Sequence, residues 1–126
     1  MRGFQDLTVY KEAFHLAMDI FELSKEFPKE EKYSLTDQIR RSSRSVCSNI
    51  AEAFRKRQYP KQFVNKLSDS DAESSETLVW LDFALSCKYI STEAHIELVQ
   101  KNSEIGKMLG TMIKYPDKFI IKNSVS

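Results

Sequence analysis

An arginine cluster is the feature of this sequence best suited to binding chemistry. Arg40, Arg41 and Arg44 lie within one short stretch, and on a helix this spacing puts them on one side. Guanidinium groups bind phosphate oxygens bidentately, so the cluster points to a nucleic-acid backbone as ligand. The alternative is that these arginines form ion pairs with carboxylates of the third predicted helix. Those carboxylates are Asp69, Glu73 and Glu76.

A second basic group follows at the end of the second predicted helix and in the turn after it. Basic side chains also suit the C-terminal end of a helix dipole, which is the structural alternative to a binding role. Tyr59 lies in this group and could stack on a base. The nucleic-acid candidates at this turn are Arg55, Lys56, Arg57 and Lys61.

Charge is distributed unevenly along the chain, although its net charge is only +1. Between positions 40 and 66 there are eight basic residues and one acidic residue. Between positions 69 and 97 there are seven acidic residues and one basic residue. The sequence therefore predicts a basic segment followed by an acidic one.

Patterns for catalysis or metal binding are sparse. Glu12 and His15 have the Glu-x-x-His spacing of di-iron bundles, but that chemistry needs two such pairs and His95 does not complete a second. No glycine-rich phosphate loop, Cys-x-x-Cys pair or nucleophile elbow is present. We expect no enzyme, no metal and no cofactor. A nuclease that uses Glu73 or Glu76 is the enzymatic alternative.

The fold class follows from apolar periodicity and from the few turn residues. The chain of 126 residues has only three glycines and three prolines, which favours long helices with short connections. We predict one domain over 1–126, an all-α, up-and-down antiparallel four-helix bundle. Its helices are predicted at 6–27, 34–57, 60–88 and 92–114, with a loose tail at 115–126. Asp6, Ser34 and either Ser91 or Thr92 are predicted to cap helices.

Two helices have more apolar surface than a single bundle needs. Helix one has two apolar stripes, and the second half of helix three is apolar almost all round. One stripe suffices for a helix of a monomer, so we predict a homo-oligomer. The interface candidates are Leu16, Ile20, Val79, Trp80 and Phe83.

Polar residues beside these stripes are predicted to be structural. Asn49 can bond across to another helix, and Glu52 can accept from an arginine. Glu73 and Glu76 are placed in the same group.

The chain is predicted to be cytoplasmic and to have no membrane partner. Its first residues lack the apolar run of a signal peptide, and no stretch approaches the roughly 18 apolar residues of a membrane span. Cys47 and Cys87 each lie on an apolar helix face, which predicts buried, reduced thiols.

Helix two also has a family likeness. Residues 35–54 read LTDQIRRSSRSVCSNIAEAF, which resembles the signature of the four-helix bundle family of proteins encoded in 23S ribosomal RNA intervening sequences. Residues 4–7 and 13–14 fit the opening of that family. Parts of 73–90 resemble its third helix.

The resemblance implies a homopentamer with a barrel-like shape and a basic surface. Related accessory proteins of diversity-generating retroelements bind a reverse transcriptase and nucleic acid, whereas the family has no established catalytic activity. Its name reflects where the genes lie, so binding of ribosomal RNA does not follow. We therefore expect a non-enzymatic oligomer that binds RNA or DNA through helix two, as an accessory to a larger nucleic-acid enzyme. The alternative is a protein scaffold whose charged residues form subunit salt bridges.

Overall fold

The computed structural model describes residues 3–120 and has four α-helices in that range, without strands. Short 3-10 turns lie at Phe4–Asp6, Lys29–Glu31 and Pro116–Lys118. The helices are Thr8–Ser24 (α1), Leu35–Arg55 (α2), Pro60–Ser86 (α3) and Thr92–Lys114 (α4). The predicted all-α fold of four helices is confirmed.

Consecutive helices are antiparallel neighbours. α1 packs on α2 and α4, and α3 packs on the same two helices, so α2 and α4 lie diagonally across the bundle. Ser74 of α3 bonds to Asn102 of α4, and Asp82, further along α3, bonds to His95 near the start of α4. Residue numbers thus rise along one helix as they fall along its neighbour.

Apolar stripes of all four helices meet in the core. On α1 the buried stripe includes Val9, Ala13, Leu16 and Ile20. Burial of large aliphatic side chains contributes about 1.5–3 kcal/mol each, so this core is the main source of stability. Other large, fully buried side chains are Ile39, Ile50, Phe63, Leu67, Leu81, Ile105 and Leu109.

Small polar side chains also cross the core, and we call them the buried polar ladder. Ser74 Oγ donates to Asn102 Oδ1 over 2.9 Å, and Asn102 Nδ2 donates to the Ser74 carbonyl over 2.9 Å. Every buried side-chain nitrogen and oxygen of residues 3–120 has a partner. The ladder is completed by two further bonds of 2.9 Å, from Ser70 Oγ to the Val46 carbonyl and from Thr77 Oγ1 to Ser42 Oγ.

The helices are shorter than predicted at several ends. α1 stops at Ser24, and Phe27 continues the apolar pattern only because it packs on Tyr89, with ring centroids 5.5 Å apart. α2 stops at Arg55. α3 stops at Ser86, because Lys88 takes a left-handed φ of 65° just after it. The apolar pattern runs past the ends of α1 and α3, whereas basic and polar residues follow α2.

Two of the predicted caps are corrected and one is confirmed. Leu7, rather than Asp6, precedes the first residue of α1, because residues 4–6 form a separate turn. Ser34 precedes α2, but its Oγ donates to Glu31 Oε1 over 2.6 Å instead of capping the helix. Ser91 Oγ accepts from the Ala94 amide over 3.0 Å, as a helix cap does.

The predicted loose tail is wrong for residues 115–120. Pro116–Lys118 form a 3-10 turn, and Phe119 and Ile120 pack against the core. Residues 121–126 of that tail lie outside the described residues.

The two cysteines have different surroundings. Cys47 is buried as predicted, and burial raises the pKa of its thiol to about 11. Cys87 is exposed, which corrects the prediction, because it follows the end of α3 where the chain leaves the bundle. Within residues 3–120, no helix combines the length and apolar character needed to cross a lipid bilayer.

Candidate nucleic-acid interface

The ring of Phe21 organises the basic side chains where α1 meets α2. The guanidinium carbons of Arg40 and Arg44 lie 4.8 Å and 5.6 Å from the ring centroid, and Lys25 Nζ lies 4.8 Å from it. Arg40 Nε also donates to Ser24 Oγ over 2.8 Å. Cations within about 6 Å of a ring face are attracted to it. Phe21 therefore holds two arginines in place without neutralising them.

The guanidinium of Arg41 is directed toward α3. It forms an ion pair with Glu73 of α3 at 3.1 Å and a second ion pair with Glu76. Pairing with α3, the alternative from the sequence, therefore holds within the chain for Arg41, whereas neither Arg40 nor Arg44 pairs with a carboxylate of α3 in the same chain. The helical period explains the split, because positions 40 and 44 differ by about 40° and positions 40 and 41 by about 100°.

These three arginines line an open groove of about 640 Å³, which we call the basic groove. One carboxylate, Asp37, lines it as well. Among residues 3–120, neither Arg40 nor Arg44 has a carboxylate within ion-pair distance. The single carboxylate that lines the basic groove therefore does not cancel the positive charge of the groove. The remaining lining residues are Lys32, Tyr33, Thr36, Ser45 and Ser48.

Lys32 and Tyr33 also line the basic groove, although the sequence pattern did not indicate them. Tyr33 is 84% exposed, the most exposed of the large apolar and aromatic side chains of residues 3–120. Lys32 Nζ lies 5.3 Å from the centroid of its ring. Both residues lie in the connection between α1 and α2, directly before the first residues of α2. A cluster restricted to one helix could not have indicated them.

The connection that carries Tyr33 is braced through Glu31. Its Oε1 accepts from Ser34 Oγ over 2.6 Å, and its Oε2 accepts from Tyr89 Oη over 2.8 Å. These hydrogen bonds lower the pKa of Glu31, and the bond to the carboxylate raises the pKa of Tyr89 to about 12. Tyr89 therefore stays protonated and donates at neutral pH. The backbone beside Tyr33 is tied down while its ring faces solvent.

The second predicted basic group lies at the other end of α2. Arg55, Lys56 and Lys61 are exposed, and Tyr59 is 52% exposed. Arg57 turns back on its own helix end, where Nε donates to the Phe54 carbonyl over 2.8 Å and the guanidinium carbon lies 3.5 Å from the Phe54 ring centroid. These residues form a solvated helix end rather than part of the basic groove.

Polar residues predicted to link helices do so in three of four cases. Glu73 and Glu76 bind Arg41, and Glu52 pairs with Lys66 of α3 at 2.8 Å. The partner of Glu52 is a lysine instead of the expected arginine. Asn49 is a correction, because its Nδ2 donates to the Ser45 carbonyl one turn back on α2, over 2.9 Å.

Interface candidates divide into exposed and buried residues. Val79 and Phe83 of α3 are 47% and 54% exposed, and Trp80 beside them is half-buried. Leu16 and Ile20 are corrections, because both side chains lie inside the core of the single chain and have no surface left for a second chain.

The exposed apolar residues of α1 lie on the second apolar stripe of this helix, the one that does not include Leu16 and Ile20. Phe14 is 48% exposed and Met18 is 43% exposed. With Tyr10 and Ala17 they line a groove of about 380 Å³ between α1 and α2.

Comparisons with known proteins identify a family and similar solved structures. A family model described as 23S rRNA-intervening sequence protein matches residues 5–111. A crystal structure from Bacteroides thetaiotaomicron, of a protein with unknown function from the S23 ribosomal protein family, is similar in fold with a TM-score of 0.76. The two sequences are 33% identical, and the match covers 84% of this chain and 95% of that one. No curated protein matches significantly.

Proposed function

Because the chain belongs to the 23S rRNA-intervening sequence protein family, we propose that it is a non-enzymatic homo-oligomer that binds RNA or DNA through the basic groove. In this proposal it is cytoplasmic and serves a larger nucleic-acid enzyme as an accessory subunit. Among residues 3–120, no three histidine, cysteine, aspartate or glutamate side chains are grouped as a metal ion would require. The proposal assigns recognition of a nucleic-acid backbone to the groove.

One observation carries the nucleic-acid proposal. Arg40 and Arg44 are fixed by Phe21 and Ser24 in an open groove, and no carboxylate neutralises them within residues 3–120. A structural role would favour pairing, as Arg41 does with Glu73 and Glu76. Fixed guanidinium groups that are open to solvent suit phosphate oxygens, which they can bind bidentately.

Titration with labelled RNA and DNA strands at two salt concentrations tests this proposal. Phosphate contacts release counterions, so the logarithm of the affinity should fall with the logarithm of salt at about −0.7 per contact for single strands. We expect binding at about 50 mM salt and a loss of about sevenfold or more at about 200 mM, from the two contacts that Arg40 and Arg44 can make. Absence of binding at low salt, or an affinity that does not change with salt, would refute the proposal.

The oligomer is proposed from two separate apolar surfaces. One lies on α1 and includes Phe14 and Met18, and the other lies on α3 and includes Val79 and Phe83. A closed ring uses two different surfaces of each subunit, whereas a twofold dimer uses one surface twice. Two unlike apolar surfaces therefore fit a ring, and the family resemblance implies that the ring has five members.

Light scattering coupled to size exclusion tests the ring. We expect a mass of about five times the 14.6 kDa of the chain, since five copies would bury both apolar surfaces. Phe83→Glu should lower that mass, because a carboxylate on the α3 surface would be desolvated in the interface. Tyr115→Glu, which changes an exposed aromatic elsewhere, is the control. A wild-type chain that stays monomeric at micromolar concentration would overturn the ring.

The alternative is a protein scaffold whose charges serve only to hold helices and subunits together. The Arg41 pair with Glu73 and Glu76 favours it, because one arginine of the cluster does bind carboxylates. Under this alternative the ring forms but no nucleic acid binds at low salt. The two experiments above therefore separate the proposals.

A further inference from the structure

Tyr33 is the most exposed of the large apolar and aromatic residues in the described part of the chain. The residue is 84% exposed, so its side chain adds little to the free energy of folding, which comes mainly from burial of apolar surface. The backbone on both sides of it is nevertheless ordered. Glu31 bonds to Tyr89 over 2.8 Å and to Ser34 over 2.6 Å, and α2 begins at Leu35.

The ring also lies where a nucleic-acid strand would pass. Tyr33 lines the basic groove together with Lys32, Arg40 and Arg44. Grooves that combine cations for the backbone with an aromatic ring for a base are typical of proteins that bind single strands. Bases in a duplex are already stacked on their neighbours, so an exposed ring has no free base face to meet there.

Resting on the function proposed above, we propose that the basic groove binds single-stranded nucleic acid, with one unpaired base stacked on the Tyr33 ring. Arg40 and Arg44 take phosphates of the same strand. Lys32, with its Nζ 5.3 Å from the ring centroid, adds a third cation at the base-binding end. Tyr115 is the best-matched exposed tyrosine outside the groove, since Lys114 and Lys118 lie 5.5 Å and 5.2 Å from its ring centroid.

Fluorescence anisotropy with three probes tests this proposal. The probes are a mixed-sequence single strand, the same strand in a duplex, and an abasic strand with the same number of phosphates. Each strand is made as RNA and as DNA, so that the two sources of the ligand are compared. Tyr33→Ala should weaken single-strand binding by about 5- to 150-fold, the range expected for one stacked base. Binding of the duplex and of the abasic strand should stay within about twofold, because those probes offer the ring no free base face.

Two variants make the result specific to the ring. Tyr33→Phe retains the π-face and should bind the single strand nearly as well as the wild-type chain. Tyr115→Ala removes an exposed tyrosine between lysines outside the groove and should leave all affinities unchanged. Thermal unfolding should be the same for all variants, because both tyrosines are exposed.

The outcomes separate this inference from the function on which it rests. If the wild-type chain binds no strand at low salt, the proposed function fails and the inference fails with it. If the strand binds in a salt-dependent manner but Tyr33→Ala has no effect, only the inference is overturned. An equal loss for single strand, duplex and abasic strand would also overturn it, because that pattern indicates a disturbed charge arrangement rather than the removal of a stacking partner.

Discussion

Reversing the charge of Arg40 and Arg44 together should weaken binding of a nucleic-acid strand by about 100-fold or more at low salt. Each hydrogen bond between charged groups contributes about 1.5–3 kcal/mol, and each 1.4 kcal/mol corresponds to tenfold in affinity. Removal of two such bonds in Arg40→Glu/Arg44→Glu therefore lowers the affinity by at least two orders of magnitude. The dependence on salt should also become less steep, by about 0.7 for each phosphate that the variant no longer binds. Anisotropy titration at several salt concentrations measures both.

A matched control has the same change in net charge on the far side of the bundle. Lys107 and Lys114 are exposed on α4, which lies diagonally opposite α2. Lys107→Glu/Lys114→Glu should reduce the affinity by a few-fold at most, because only the long-range field changes. If both double variants lose affinity equally, the groove is not the binding surface.

The single variant Arg44→Glu tests whether the loss of affinity comes from the lost charge rather than from a disturbed fold. Arg40 bonds to Ser24, so its replacement also disturbs the seam between α1 and α2, whereas Arg44 is exposed. The single variant should retain the stability of the wild-type chain and still lose about tenfold in affinity.

Truncation of Asn102 to alanine should lower the free energy of unfolding by about 2–4 kcal/mol, because it opens a cavity and removes two buried hydrogen bonds. Both bonds join Asn102 to Ser74 over 2.9 Å. Urea denaturation at a fixed protein concentration measures the change. Asn65→Ala on the exposed side of α3 should stay within about 0.5 kcal/mol of the wild-type chain.

A leucine at position 102 separates the cavity from the hydrogen bonds. Asn102→Leu refills the volume, and the Ser74 hydroxyl can then bond to the carbonyl of residue 70 on its own helix. We expect this variant to lose less stability than Asn102→Ala. An Asn102→Ala variant as stable as the Asn65→Ala control would show that the buried polar ladder does not stabilise the fold.

Most of the fold could be predicted because apolar periodicity is a local signal. The spacing of Val9, Ala13, Leu16 and Ile20 predicts a helix that buries one side, and that side is buried. Helix ends are harder to predict from the sequence. Phe27, for example, extends the apolar pattern by packing on Tyr89 after α1 has ended. Such a contact joins residues far apart in sequence, so periodicity cannot distinguish it from another helical turn.

The sequence also does not indicate which of the two apolar stripes of α1 faces the core. Leu16 and Ile20 belong to one stripe of α1, and Phe14 belongs to the other. Both satisfy a helical period equally well, and only packing decides that Leu16 and Ile20 face the core while Phe14 faces solvent. Leu16 and Ile20 are therefore core residues of the single chain, and Phe14 is the exposed one of the three.

The arginines of the candidate site could be predicted from the sequence, but which of them pair with other helices could not. Arg40, Arg41 and Arg44 stand out in the sequence, but their partners belong to other helices. Phe21 of α1 and Glu73 of α3 decide which guanidinium groups remain open to phosphate. Tyr33 lies in the turn just before α2, so a cluster of arginines within that helix does not indicate that it lines the groove.

The buried polar ladder has a consequence for motion. Apolar side chains alone let packed helices slide past one another at modest cost, as in shear transitions. A slide of one turn, about 5.4 Å, would break the bonds that tie Ser70 to Val46 and Ser74 to Asn102. Each buried group left without a partner costs about 1–3 kcal/mol. The ladder thus locks the axial register of α2, α3 and α4, and the surface they carry moves as one rigid body.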